Sequence, residues 1–231
     1  MKTIGLLGGM SWESTAVYYR VINTEVKRRL GGFHSARSVV VSIDFAELEA
    51  LQTAGDWETS ADLLVHAARQ AEQGGADLLL IATNTMHEVF DAVEQAVTIP
   101  MIHIADPTGQ ALVDRGVTKA GLLGTSFTME RAFYRDRLTE QFGLEVITPE
   151  ASDRKIVHDI IYHELVQGVI TDASRQAYRG VIERLTDRGA EAVIMGCTEI
   201  GLLLKEGDSA VPLIDTALEH AKAAVDVALA G

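Results

Sequence analysis

The chain has 231 residues, of which 47% are hydrophobic and 23% charged, a balance that excludes an extended disordered chain and leaves room for a real core. Thirty-three acidic residues against 20 basic ones give a net charge of −13, which argues against a general grip on nucleic acid or on an anionic membrane surface. One cysteine, Cys197, excludes an intrachain disulfide and a multi-cysteine zinc site.

The chain opens on Ile4-Gly5-Leu6-Leu7-Gly8-Gly9-Met10-Ser11, a short glycine-rich run that reads as a first strand and turn rather than a signal segment. Ser14 to Leu30 is the first expected helix, closed by Gly31-Gly32. Strands follow near Val39–Ile43 and Asp77–Ile81. A helix from Ser60 to Gln73 lies between them, with Leu63, Leu64, Ala67, Ala68 and Ala71 at helical spacing. A fourth strand is expected near Met101–Ile104. The series then starts again, with strands near Ala120–Leu123, Leu144–Ile147, Glu191–Met195 and Leu213–Ile214, and a helix from Ser174 to Arg188. These short apolar runs suit parallel strands buried on both faces. No apolar run reaches the roughly 20 residues that span a bilayer, so a soluble cytoplasmic protein is expected.

The second series echoes the first. Ile4-Gly5-Leu6-Leu7-Gly8 returns as Ala120-Gly121-Leu122-Leu123-Gly124. Gly75-Ala76-Asp77 and the strand after it return at Gly189-Ala190-Glu191, and Ile99-Pro100-Met101-Ile102 returns as Val211-Pro212-Leu213-Ile214. Three echoes in one order, each about half the chain apart, predict two similar α/β halves, each a four-stranded parallel sheet flanked by helices. The expected division is 1–103 plus 216–231 for the first half and 104–215 for the second. The C-terminal helix, Thr216 to Leu229, is expected to pack back on the first half.

Open parallel sheets bind ligands beyond the carboxyl ends of their strands. Those ends are Gly8-Gly9-Met10-Ser11, Thr83-Asn84-Thr85 and, in the repeat, Cys197-Thr198-Glu199. A pseudo-twofold arrangement would set Thr83 and Cys197 on opposite sides of one cleft. A lone cysteine is more often inert core than nucleophile, but Cys197 sits at a strand end followed by Thr198 and Glu199, so a functional role is expected, with a helix N-terminus lowering its pKa. Gly5-x-x-Gly8-Gly9 lacks the dinucleotide spacing and no P-loop lysine follows, so no nucleotide cofactor is expected. His158 and His163 do not form a zinc helix motif, so no metal is expected either. His87 and His220 read as helix caps or fillers of polar gaps, and Trp12 and Trp57 as packing residues. Asp153-Arg154-Lys155 reads as a solvated helix start, with an anion clamp as the alternative.

At these residues the sequence resembles the aspartate/glutamate racemase family, amino-acid racemases that use no pyridoxal phosphate. The matching motifs are Gly5-Leu6-Leu7-Gly8-Gly9-Met10-Ser11-Trp12, Asp44-Phe45 through Gln52, Thr83-Asn84-Thr85-Met86-His87, Leu122-Leu123-Gly124-Thr125, Ile161-Tyr162-His163-Glu164-Leu165 and Gly196-Cys197-Thr198-Glu199. The resemblance implies two similar α/β halves with the site between them, and racemisation without a cofactor by two cysteines, one per half. One thiolate takes the Cα proton and the other thiol returns a proton to the opposite face. It also implies that backbone donors around Asn84, Thr85, Thr198 and Glu199 hold the α-carboxylate, and that Met10 and Gln52 contact a small amino-acid substrate. A homodimer is suggested by the resemblance alone.

Thr83 stands where the family has its first cysteine. A threonine hydroxyl is far too weak an acid to serve as a base at pH 7, although it can donate or relay a proton. The expectation is therefore a racemase of L-aspartate or L-glutamate in which Cys197 deprotonates the L-enantiomer and Thr83 assists on the other face. The stretch from Asp44 to Gln52 holds no arginine, which some aspartate racemases carry there, so other polar amino acids stay open. Rival readings are a single-cysteine decarboxylase or isomerase of the same superfamily and a catalytically silent amino-acid-binding protein.

Overall fold

The computed structural model describes residues 1–205 and 207–230. It contains two units, Met1–His103 with His220–Gly231 and Ile104–Glu219.

In the first unit the chain runs β1 (Ile4–Gly8), α1 (Trp12–Leu30), β2 (Ser38–Ser42), α2 (Phe45–Ala54), α3 (Trp57–Gln73), β3 (Leu78–Ile81), a 3₁₀ turn (Thr85–Val89) and α4 (Phe90–Glu94). The strands form a parallel sheet in the order β2-β1-β3. In register, Leu6 stands opposite both Val40 and Leu80. Every residue of β1 and β3 is buried. Leu7, Leu79 and Ile81 pack with Leu64, Ala67, Ala68 and Ala71 of α3, while Leu6, Leu78 and Leu80 are buried on the alternate face. This is the pattern of a parallel strand covered on both sides. Helix α1 starts where Ser11 Oγ accepts from Ser14 N, and its buried stripe is Ser14, Tyr18, Ile22 and Val26. Helix α3 begins three residues before the expected Ser60, because Asp56 caps it by accepting from Thr59 N.

The fourth strand expected at Met101–Ile104 is reduced to a single bridge, Leu79 opposite Met101. Leu79 N donates to Pro100 O and Ile102 N donates to Leu79 O, which completes one bridge and no more. The next carbonyl, on Ile102, accepts instead from the His220 imidazole, and the chain enters a helix at Ala105. A side chain thus takes the place of the ladder.

The second unit runs α5 (Ala105–Val113), β4 (Lys119–Gly124), α6 (Ser126–Glu130), α7 (Ala132–Phe142), β5 (Glu145–Ile147), α8 (Ala151–His163), a 3₁₀ turn (Leu165–Gln167), α9 (Asp172–Asp187), β6 (Ala192–Gly196), α10 (Ile200–Leu203), β7 (Leu213–Asp215) and the start of α11 (Thr216–Leu229). Its parallel sheet has the order β5-β4-β6-β7. The side-chain alternation of the two central strands divides the core. Leu123, Val193 and Met195 pack with Val157, Ile161, Tyr178 and Val181 of α8 and α9. Leu122, Ala192 and Ile194 pack with Leu112 of α5 and with Tyr134 and Leu138 of α7. Bidentate ion pairs from Arg184 to Asp153 and from Arg137 to Asp106 fasten the helices on each side. The boundary between the units falls inside α11, after Glu219. Within the first unit Lys2 N donates to Ala228 O, and Arg29 pairs with Asp226.

The two sheets carry the repeat into three dimensions. In each, the first strand of the half lies at the centre with the second and third on its flanks. Among the described residues no helix is long and apolar enough to cross a membrane.

Candidate active site

In the first unit the candidate residues gather where β1 and β3 end. Gly9 follows β1 with φ 87°, and a Cβ there would lie 2.0 Å from Ile43 O, so only glycine fits the turn. Thr15 Oγ1 accepts from Gly9 N at 2.8 Å and donates to Ser11 O at 3.0 Å, which ties the turn to the start of α1. Ser14 Oγ donates to Ala82 O at 2.8 Å and so links α1 to the end of β3. Thr83 follows. It is half-buried, while Asn84 and Thr85 are buried. The Thr83 carbonyl accepts from His87 Nδ1 at 2.8 Å, one turn ahead.

Met10 and Gln52 are both buried here. The Gln52 amide donates to Met86 Sδ at 3.0 Å.

In the second unit β4 and β6 end side by side, with Gly124 opposite Gly196. Their backbones approach so closely that a Cβ on Gly196 would lie 2.7 Å from Leu123 O. Thr125 caps α6 by accepting from Thr128 N, and Cys197-Thr198-Glu199 leads into the short α10. Cys197 is 9% exposed, and Thr198 and Glu199 are buried. Cys197 Sγ donates to Glu199 Oε2 at 3.0 Å. Burial pushes the thiol pKa well up, the Glu199 carboxylate pushes it further, and only the Glu199 backbone N–H opposes them. The expected lowering by a helix N-terminus is thus overturned. Helix α10 is four residues long, and the thiol sits in a buried site beside an anion. Cys197 rests as a thiol that donates to the Glu199 carboxylate.

The Tyr178 hydroxyl donates to Val157 O at 3.1 Å in the same core. Its pKa is raised first by burial and then by Cys197, Glu199 and Glu164. A sequence reading had no means to select Tyr178, because it lies 19 residues before Cys197 on another element. The Glu199 side chain pairs with the thiol, a contact the sequence reading did not anticipate. The C-x-E spacing was the available signal.

His220 and His158 act as fillers of polar gaps. His220 Nδ1 accepts from the Tyr18 hydroxyl at 2.8 Å, and its Nε2 donates to Ile102 O at 2.8 Å. His158 Nδ1 accepts from Ser126 N at 3.2 Å. Among the described residues no group of three or more His, Cys, Asp or Glu is arranged to hold a metal. The 153–155 stretch opens helix α8 as expected and Lys155 is solvated, but Asp153 is not. Asp153 is buried and bound by Arg184, Arg154 pairs with Glu130 and Lys155 with Asp159. These pairings also employ the cations that an anion clamp would need. Trp57 packs against the first core, but Trp12 is 66% exposed, so it is not a packing residue.

The family model for Asp/Glu/hydantoin racemases matches residues 7–224. A solved structure of an Asp/Glu racemase candidate from Yersinia pestis is 52% identical, covers 99% of this chain and 100% of that one, and superposes with a TM-score of 0.92. The structure of an aspartate racemase homologue from Pyrococcus horikoshii OT3 is 36% identical over 99% of both chains, with a TM-score of 0.83. The broad specificity amino-acid racemase RacX of Bacillus subtilis (strain 168) is 25% identical over 178 residues, 76% of this chain and 75% of that protein. Racemisation of amino acids is the activity these descriptions share. With the repeated parallel sheets and the motif at each strand end, the match over almost the whole length shows that the chain belongs to the Asp/Glu/hydantoin racemase family and is an isomerase.

Proposed function

We propose that this isomerase racemises a small polar amino acid, L-aspartate or L-glutamate first among them, without a cofactor. The observation that supports this reading most is the buried Cys197 thiol, 3.0 Å from the Glu199 carboxylate at the end of β6. Glu199 takes the thiol proton. The Cys197 thiolate then removes the Cα proton of the L-enantiomer. The Thr83 hydroxyl passes a proton to the opposite face of the carbanion and regains one from water, and the Glu199 carboxyl gives its proton to the hydroxide so formed, which restores the resting thiol and carboxylate. The raised thiol pKa makes the thiolate a strong base once formed, which suits abstraction from a weak carbon acid. Backbone donors at Asn84, Thr85, Thr198 and Glu199 hold the α-carboxylate, and Met10 and Gln52 shape the pocket around the substrate.

Threonine at position 83 makes the two directions unequal. D-substrates present their Cα proton to a hydroxyl, so their turnover is slow, while the racemic endpoint is unchanged. Polar Asn84, Thr85 and Glu199 at the strand ends favour retention of the substrate carboxylate over its expulsion, which weighs against a decarboxylase.

The test is incubation with L-aspartate or L-glutamate in D₂O without pyridoxal phosphate, followed by NMR at Cα and chiral chromatography. Deuterium at Cα together with the D-isomer is the expected result. Failure of both acids to exchange defeats the assignment of these substrates. Binding without exchange identifies a silent binder instead.

A further inference from the structure

Three buried imidazoles meet in the first unit beneath the end of β3, and the mechanism above uses none of them. His87, from the 3₁₀ turn, lies edge-on to His103 with ring centroids 4.5 Å apart, and 5.8 Å from the ring of His220 on α11. Phe90 of α4 stacks on His87 at 5.6 Å and meets His103 at 4.7 Å. Tyr18 of α1 stands behind His220. The titratable groups facing His87 are thus His103 and His220, with the Tyr18 phenol beyond.

The hydrogen bonds settle the protonation of two rings. A carbonyl only accepts, so His87 carries a proton on Nδ1, which it donates to Thr83 O. For the same reason His220 carries its proton on Nε2, toward Ile102 O, and its Nδ1 accepts from Tyr18. Burial and the two neighbouring imidazoles hold the pKa of His87 well below its ordinary value, so the ring is a neutral donor at neutral pH.

Thr83 is therefore the second of two consecutive residues whose carbonyls are held by side chains. Ser14 Oγ holds Ala82 O and His87 Nδ1 holds Thr83 O. The last sheet bond past β3 is Ala82 N donating to Leu7 O, and from there the two side-chain bonds hold the carbonyls of Ala82 and Thr83. We propose that His87 is a positioning residue for Thr83: its Nδ1–H fixes the Thr83 peptide and so aims the hydroxyl that returns the proton. This rests on the proton-relay role given to Thr83 above.

Two variants test it in the full-length enzyme. His87→Asn keeps an N–H donor near the Nδ1 position, whereas His87→Leu removes it. In D₂O with L-substrate, deuterium incorporation with retention needs only the Cys197 side, whereas D-isomer formation needs Thr83 as well. The ratio of D-isomer formed to deuterium incorporated should fall about tenfold in His87→Leu, in line with the cost of misplacing a reacting group. It should recover to within about threefold of the parent in His87→Asn. A purely structural role would lower both rates together and leave the ratio unmoved, and that outcome in a folded variant overturns the proposal. A parent enzyme that exchanges nothing would overturn the reading of the reaction instead. The positioning is then judged by NMR on the parent and on His87→Asn. His87 should show the Nδ1–H tautomer, and the Thr83 carbonyl ¹³C should stay in place in the Asn variant. An Nε2–H tautomer overturns the proposal whether or not His87→Leu folds.

Discussion

The ends of β3 and β6 occupy the same place in the repeat and carry different chemistry. At β6 the side chain is a thiol, buried with a carboxylate 3.0 Å away. At β3 it is a hydroxyl, half-buried, and the nearby titratable group is an imidazole that binds the backbone carbonyl of the same residue. The thiol has an acceptor for its proton, and what the structure gives Thr83 through His87 is a hold on its peptide. The comparison teaches that duplication reproduces the position of a group but not its acidity. Acidity is set by the side chain and by the few atoms around it.

That contrast breaks most completely at Cys197. Cys197→Ala should lower Cα exchange of the L-substrate about a thousandfold, the effect of losing a positioned base, in a protein whose circular dichroism is unchanged. Glu199→Gln should lower turnover about a hundredfold, because the thiol loses its proton acceptor. The same substitution removes the anion that raises the thiol pKa. Alkylation by iodoacetamide at pH 8 should therefore become faster while racemisation becomes slower. If the two fall together, Glu199 does not act through the thiol. Thr83→Cys should sharpen the comparison from the other side. It gives the β3 end a group that ionises, and D-substrate turnover should rise about tenfold toward the L rate, as read by deuterium washout from each enantiomer.

The smallest effect concerns pH and stability. His87 has its pKa lowered in the folded protein, so the unfolded chain binds its proton first as pH falls. Its contribution to stability is full above the ordinary imidazole value of about 6.5 and is lost progressively below it. Between pH 7 and 5 the Tm of the parent should drop a few degrees more than that of His87→Asn, measured by calorimetry in one buffer series. An equal drop in both would show that His87 carries none of the acid sensitivity.

Much of the fold is legible in local pattern. The strand cores, the repeat and the glycine turns follow from alternation, from apolar runs and from Gly9, whose backbone no other residue can adopt at that place. Helix α3 was misplaced only at its start, where Asp56 caps. The fourth strand of the first half was misread because the Ile99-Pro100-Met101-Ile102 run matches a true strand in the second half. Nothing local indicates that His220, 118 residues away, takes the carbonyl the ladder would have used. Burial of Asp153 was hidden for the same reason, since its partner Arg184 lies on α9.

By itself the sequence determined that two α/β halves repeat one plan, that each presents a polar strand end, and that one of those ends holds the chain's only cysteine and the other a threonine. Residue type and spacing suffice for such statements, because strand and helix periods are local properties of the chain. Only the tertiary structure decided that the cysteine rests as a buried thiol against Glu199, that Asp153 is bound rather than solvated, and that His87, His103 and His220 converge beneath Thr83. A pKa or a hydrogen bond depends on which distant segments exclude water from a group and which atoms they bring within 3 Å or so of it, and that follows from packing rather than from spacing along the chain.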